Sequence, residues 1–261
     1  MSYVLENDKE FERLERQSQL VHDCRKELQD VDVRDGAHLL DAGCGSGAVS
    51  RYLAERFPSS RVVGCDYTAS LLAQAREVSR DISNLVFEKQ DLKQLSYPDG
   101  QFDLIVTRFV LQHQDSEGRC RIIAELARVL KPGGELVVIE SDGSMLHLYP
   151  QTPIVTEGLR KLAAVGEVDV QVGRKIPYLL AEAGFSTVSW RMETVEFQGE
   201  IKHLHIGLAQ ERFHNGGAFF ERVIGGKDRW RAFSESYLAC MEHPQSVYFY
   251  HKFIVRAVKT K

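Results

Sequence analysis

Leu39-Leu40-Asp41-Ala42-Gly43-Cys44-Gly45-Ser46-Gly47 decides the fold. The apolar residues before Asp41 suit a short strand. Residues 49–57 have helical character until Pro58 stops them. The glycines between let the chain turn sharply and let a ligand approach bare backbone, with the free N–H groups of a helix start nearby. A glycine-rich turn alone marks any tight strand-to-helix connection. Here it follows a strand and opens a helix, the context that a ligand-cradling turn requires.

Outward from this turn, strands are expected over 37–41, 61–66, 85–88, 102–107 and 135–140, with helices over 70–78 and 122–130. Alternating strands and helices imply βαβ units and a mainly parallel sheet. The nearly continuous apolar strands agree, because such strands are buried on both faces. Upstream, Phe11, Leu14, Val21 and Leu28 align on one face of an amphipathic helix. After Glu140 the rhythm breaks. A loop and a helix (154–164) fill 141–175, a helix over 177–183 stops at Gly184, and a strand is expected over 188–197. Residues 199–245 read as a long insertion with helical stretches before a final strand over 247–255. The 261 residues fit one domain, 1–261: an N-terminal lid helix (1–30), a first half (31–140) and a second half (141–261) with insertions 141–175 and 199–245.

The formal net charge is -4, so there is no basic excess of the kind that neutralises phosphates, and nucleic acid is not the expected partner. Cys24, Cys44, Cys65, Cys120 and Cys240 are odd in number and form no C-x-x-C pair, which suits reduced thiols. Residues 1–8 soon become charged and lack a secretory apolar core, and no run approaches the ~18 apolar residues of a membrane span. The expected location is the cytoplasm, with no membrane partner.

Four further stretches carry chemistry. Asp66 ends the second strand ~20 residues past the glycines, where an acid accepts both ribose hydroxyls; a strand-end or helix-capping Asp is the plainer alternative. Asp91 follows the third strand, placed to accept from an adenine amino group with Leu92 against the ring, or simply to form a turn. Thr107-Arg108-Phe109-Val110-Leu111-Gln112-His113 follows the fourth strand. Leu130-Lys131-Pro132-Gly133-Gly134 stops a helix and feeds the fifth.

Taken in order over residues ~37–140, these stretches resemble the class I S-adenosylmethionine-dependent methyltransferases. The resemblance implies a doubly wound α/β fold, with a mostly parallel seven-stranded sheet, an antiparallel last strand and helical lid insertions. It implies S-adenosylmethionine as cofactor and the following roles. Gly43 and Gly45 cradle the methionine portion. Asp41 anchors the turn or reaches the amino group, to which the Arg108 carbonyl also turns. Asp66 holds the ribose, Tyr67 packs on the adenine, and Asp91 and Leu92 contact it. Arg13 is the candidate for neutralising the methionine carboxylate, since an Arg–carboxylate pair suits that task.

Methyl transfer forces no catalytic residue, and a base is needed only if the nucleophile arrives protonated. His113 is the candidate base or orienter, and His147 and Tyr149 are candidates to line the pocket. His203 and His205 are a pair without further ligands, so no metal is expected. An Asn-Pro-Pro-Tyr motif, a cysteine following a proline, and a paired-glutamate loop are absent. Their absence marks down amino-methylating nucleic-acid enzymes, cytosine C5 enzymes and protein arginine enzymes, and favours a small-molecule acceptor. No motif fixes the methylated atom or an oligomeric state.

Two rivals stand beside this reading. Gly43-x-Gly45-x-x-Ala48 satisfies the loose fingerprint of an NAD(P)-dependent oxidoreductase, but Asp41, Asp91 and the Lys-Pro-Gly-Gly segment speak against it. A cofactor-binding scaffold or a non-methylating enzyme on the same fold is separated only by product formation.

Overall fold

In the computed structural model, which describes residues 10–20 and 23–260, Leu39 and Leu40 are both fully buried in separate cores. Neighbours along a strand face opposite ways, so helices must cover both sides of the sheet. Seven strands form that sheet: β1 (His38–Ala42), β2 (Arg61–Asp66), β3 (Leu85–Lys89), β4 (Phe102–Arg108), β5 (Leu130–Tyr149), β6 (Phe185–Glu196) and β7 (Val247–Lys259). Their order is β3-β2-β1-β4-β5-β7-β6. The first five strands pair in parallel, and β7 runs antiparallel to both β5 and β6. This is the doubly wound α/β sheet with an antiparallel last strand that the motif order implies.

On one face α1 (Glu10–Leu20), α2 (Cys24–Glu27), α3 (Ala48–Arg56) and α4 (Ala69–Val78) pack Phe11, Leu53 and Leu72 onto Leu39, Val62 and Val106. On the other, α5 (Ser116–Val129) and α7 (Ile176–Glu182) pack Ile122, Leu126 and Leu180 onto Leu40 and Ile105. A third core joins α6 (Pro153–Ala164), α8 (Gly199–Asn215), α9 (Gly217–Ile224) and α10 (Lys227–Glu242) to the far ends of β5 and β7. No helix among the described residues is long and apolar enough to cross a membrane.

The structure corrects several boundaries. Residues 141–149, read from sequence as loop, continue β5 and pair with β7. The stretch after Asp142 looks like a turn because the ladder bulges between Asp142 and His147, with Gly143 at φ +79° and Asp142 gripped by Arg174 Nε at 2.9 and 3.0 Å. α5 begins at Ser116 rather than 122, because its first turn is polar and capped by Asp115, which accepts from Gly118 N at 2.7 Å. The expected N-terminal helix is described as two, α1 and α2. Val21 and the first residues of the 1–30 segment lie outside the described residues.

Candidate active site

The chain turns over the end of β1 through residues 43–47. Gly43 N and Cys44 N both donate to the Cys65 carbonyl, at 2.8 and 2.9 Å, which ties the turn to β2. Gly43 has φ +81°, and a Cβ there would sit 2.4 Å from Cγ2 of Val110, so only glycine fits. The Asp66 carboxylate accepts from Gly45 N and Thr68 N, both at 2.9 Å, so the acid that ends β2 also holds the turn. Asp41 is 1% exposed and accepts from Ser50 Oγ at 2.6 Å. Burial pushes its carboxyl up to about 6, against the lowering by Ser50.

Beside the turn, Tyr67 is 65% exposed, with the Lys89 ammonium 5.5 Å from its ring centre. Asp91 is exposed and accepts from Lys93 N at 2.9 Å, whereas Leu92 is buried.

The loop after β4 is held from below. Val110 N and Leu111 N donate to Glu140 Oε1 at 2.8 and 2.5 Å. Burial pushes Glu140 up to about 8, outweighing the backbone donors and Arg119, which favour its ionised form. Nothing in the sequence marks Glu140 for this task. His113 ends a single 3₁₀ turn, Leu111–His113. Withdrawal from water, then the charges of Arg13 and Arg212, push it down to about 4.

Arg13 is buried and gripped by Glu10, through Nε at 2.8 Å and Nη2 at 2.6 Å, and by Gln17 at 3.0 Å. The Arg108 side chain is a strut: it reaches Glu27 at 3.0 Å and Ser18 at 2.8 Å, and Glu27 also takes Lys252 at 2.6 Å. Helices α1 and α2 are thereby tied to β4 and β7.

All ten residues singled out in the sequence for cofactor and catalysis border one cavity of about 630 Å³. His147 and Tyr149 do not. They sit on the β5 extension, where His147 stacks on Phe249 and Tyr149 is 72% exposed. His203 faces solvent and bonds to the Gly199 carbonyl, whereas His205 is buried against Phe197, so they do not converge. Among the described residues no three metal-ligating side chains cluster. The far side of the cavity comes from residues with no readable motif: Met145, His205, Arg212, Phe219, Phe220 and Tyr250. The one available signal was the seven-residue spacing of His205 and Arg212, which puts them on one helix face only once α8 is known.

A family model described as a methyltransferase domain matches residues 39–134. The chain is 39% identical over 108 residues to the trans-aconitate 2-methyltransferase of Deinococcus radiodurans, covering 41% of this chain and 39% of that one. It is 31% identical over 176 residues to the ubiquinone/menaquinone biosynthesis C-methyltransferase of Paracoccus denitrificans, covering 60% of this chain and 70% of that one. The chain spans less than half the length of the first two curated relatives it matches. Among solved structures, phosphoethanolamine N-methyltransferase 2 of Haemonchus contortus, in complex with phosphomonomethylethanolamine and S-adenosylhomocysteine, shares the fold. Its TM-score is 0.62 at 15% identity, over 99% of this chain and 60% of that one.

Proposed function

The chain belongs to the class I S-adenosylmethionine-dependent methyltransferases, and from that premise we propose that it transfers the cofactor's methyl group to a small-molecule acceptor. One observation carries the reading. A single cavity is bordered on one side by bare glycine backbone and by Asp41, Asp66 and Asp91, and on the other by aromatic side chains. At about 630 Å³ it lies within the usual range for small-ligand sites. The glycine floor fits the cofactor: Gly43 and Gly45 both border the cavity and are only partly buried, so main chain is open to a ligand there, while the missing Cβ of Gly43 makes room for Val110. The relatives' names refer to small molecules, which supports a small acceptor. The net charge of -4 favours that over nucleic acid, and the five free cysteines suit the cytoplasm.

S-adenosylmethionine supplies a methyl group on a positively charged sulfur that departs as a neutral thioether. The chain's work is alignment and exclusion of water. Gly43 and Gly45 receive the methionine portion, with Asp41 and the Arg108 carbonyl at its amino group and Arg13 at its carboxylate. Asp66 takes the ribose hydroxyls while it keeps Gly45 in place, and Tyr67, Asp91 and Leu92 contact the adenine. His113, pushed down to about 4, is neutral at pH 7 and a weak base, so it orients the acceptor rather than deprotonating it. In one domain, residues 31–140 hold the cofactor, and residues 10–20, 150–175 and 199–245, with the end of β5, close over the acceptor.

The test is calorimetric titration with S-adenosylmethionine, S-adenosylhomocysteine and NAD, beside Asp66→Ala. Binding of the first two, weakened about a hundredfold or more in the variant, supports the site. Binding of NAD instead, or of none by a folded protein, overturns it. Release of S-adenosylhomocysteine with a methylated product then separates an enzyme from a scaffold.

A further inference from the structure

The cavity is chemically two-sided. Asp41, Asp66 and Asp91 stand at or just past the carboxyl ends of β1, β2 and β3. The far wall instead brings the cation Arg212 on α8, beside Phe219 and Phe220 of α9 and Tyr250 of β7. Among the described residues Arg212 makes no ion pair and no side-chain hydrogen bond, although it is half-buried. Glu167, the acid in this part of the lining, is taken by Arg222 at 2.6 Å. A guanidinium withdrawn from water without a counter-charge is unfavourable, so this compartment is one anion short.

His205 points to the same ligand. It is 3% exposed and borders the cavity, and its Nε2 has no hydrogen-bond partner among the described residues. It lies seven residues before Arg212 on α8, on the same face. A long helical side chain leans back toward the helix N-terminus, so Arg212 reaches toward His205. Its charge is felt there, since burial and then Arg212 hold His205 down at about 3 and therefore neutral. A neutral imidazole offers one N–H to an oxygen.

Resting on the methyl-transfer reading, we propose that the acceptor is a small carboxylic acid with an apolar or aromatic body. Its carboxylate pairs with Arg212 and accepts from His205 Nε2, and its body lies against Phe219, Phe220 and Tyr250. The planar guanidinium matches a carboxylate in shape. An amine acceptor would be repelled by Arg212, a neutral one would leave it unpaired, and a phosphate dianion would call for a second cation on this wall.

The test titrates aromatic and branched aliphatic carboxylic acids, with the primary amides and amines of the same skeletons, into the full-length protein with and without saturating S-adenosylhomocysteine. Acids are expected to bind, with the amides about ten- to a hundredfold weaker and the amines weaker still. Arg212→Gln should erase the preference for acids while leaving S-adenosylhomocysteine affinity unchanged, and Arg212→Lys should restore part of it. Amides binding as tightly as acids, preference for amines, failure of every acid to bind, or an unchanged preference in Arg212→Gln would each overturn the proposal. Failure of S-adenosylhomocysteine to bind would instead sink the methyl-transfer reading, and the titrations without it would still decide the anion site.

Discussion

Residues 37–140 and residues 141–259 build the two walls of one cavity by different means. The first wall is main chain: Gly43 and Gly45, fixed by the Cys65 carbonyl and the Asp66 carboxylate. The second is side-chain tips, His205, Arg212, Phe219 and Tyr250, carried largely by helices that hold together through aromatic packing such as Phe220 on Trp230 at 4.7 Å. A wall of backbone admits almost no substitution, whereas a wall of side chains can be exchanged residue by residue. The first can therefore serve an unchanging ligand and the second a varying one. Gly43→Val puts the sharpest strain on this contrast, because its Cβ must enter the space of Val110 at φ +81°. We expect S-adenosylhomocysteine affinity to fall more than about a hundredfold, while Phe219→Leu on the other wall changes it by less than about threefold. Equal losses in the two variants would break the distinction.

The two walls are joined by a buried strut. The Glu27 side chain is fully buried between Arg108 of β4 and Lys252 of β7, whose side chains are 11% and 5% exposed. Removing one partner from a buried ion pair leaves an uncompensated charge, at a cost of about 3–5 kcal/mol. Ser18 still bonds Arg108, and Glu193 lies 3.1 Å from Lys252, which places Glu27→Ala near the lower end, about 3 kcal/mol. Denaturant unfolding measures it. A loss below about 1 kcal/mol would mean that α2 is held by its apolar contacts alone.

The support beneath the first wall and the second wall respond to pH with opposite sign. Glu140 stands at about 8 in the fold against an ordinary 4.5. The folded chain therefore keeps a proton that the unfolded chain releases, and this contribution to stability is full below pH 4.5 and fades as pH rises to about 8. His205, on the other wall, stands at about 3 against an ordinary 6.5. Below pH 6.5 the unfolded chain takes a proton that the folded chain refuses, so stability falls on acidification. Unfolding free energies at pH 5, 6.5 and 8 should show Glu140→Gln losing the decline toward alkaline pH and His205→Phe losing the decline toward acid. A Glu140→Gln profile that parallels the unmodified protein would show that the carboxylate is ionised in the fold.

This asymmetry also governs how much could be read from sequence. The parallel strands, the glycine turn and the acids after β2 and β3 are local: each is a short pattern next to the residue it positions, and each stands where its spacing places it. Glu140 and Glu27 were invisible because their partners lie 30 and 81 residues away in the chain. Arg212 looked like any charged residue of an exposed helix, since only the placement of α8 over the sheet turns it into the cavity. His147 and Tyr149, offered only as candidates for the lining, fall outside it: Ser144, Met145 and Leu146 of the β5 extension border the cavity, whereas His147 stacks on Phe249 and Tyr149 faces solvent.

Asp91 gives the smallest expected effect and the finest test of what makes the first wall. Its carboxylate is exposed and already accepts from Lys93 N at 2.9 Å. Any bond it makes to the adenine competes with water, so its net worth is about 1 kcal/mol. Asp91→Asn keeps an oxygen for Lys93 N and should bind S-adenosylhomocysteine within about twofold of the unmodified protein. Asp91→Ala loses the turn bond and the proposed adenine contact together and should weaken binding about three- to tenfold, with Leu92, 8% exposed, left as the proposed contact to the ring. If Asp91→Ala rivals Gly43→Val, side chains matter on this wall as much as on the other. If Asp91→Asn alone weakens binding tenfold, the charge of the carboxylate carries the contact rather than its oxygen.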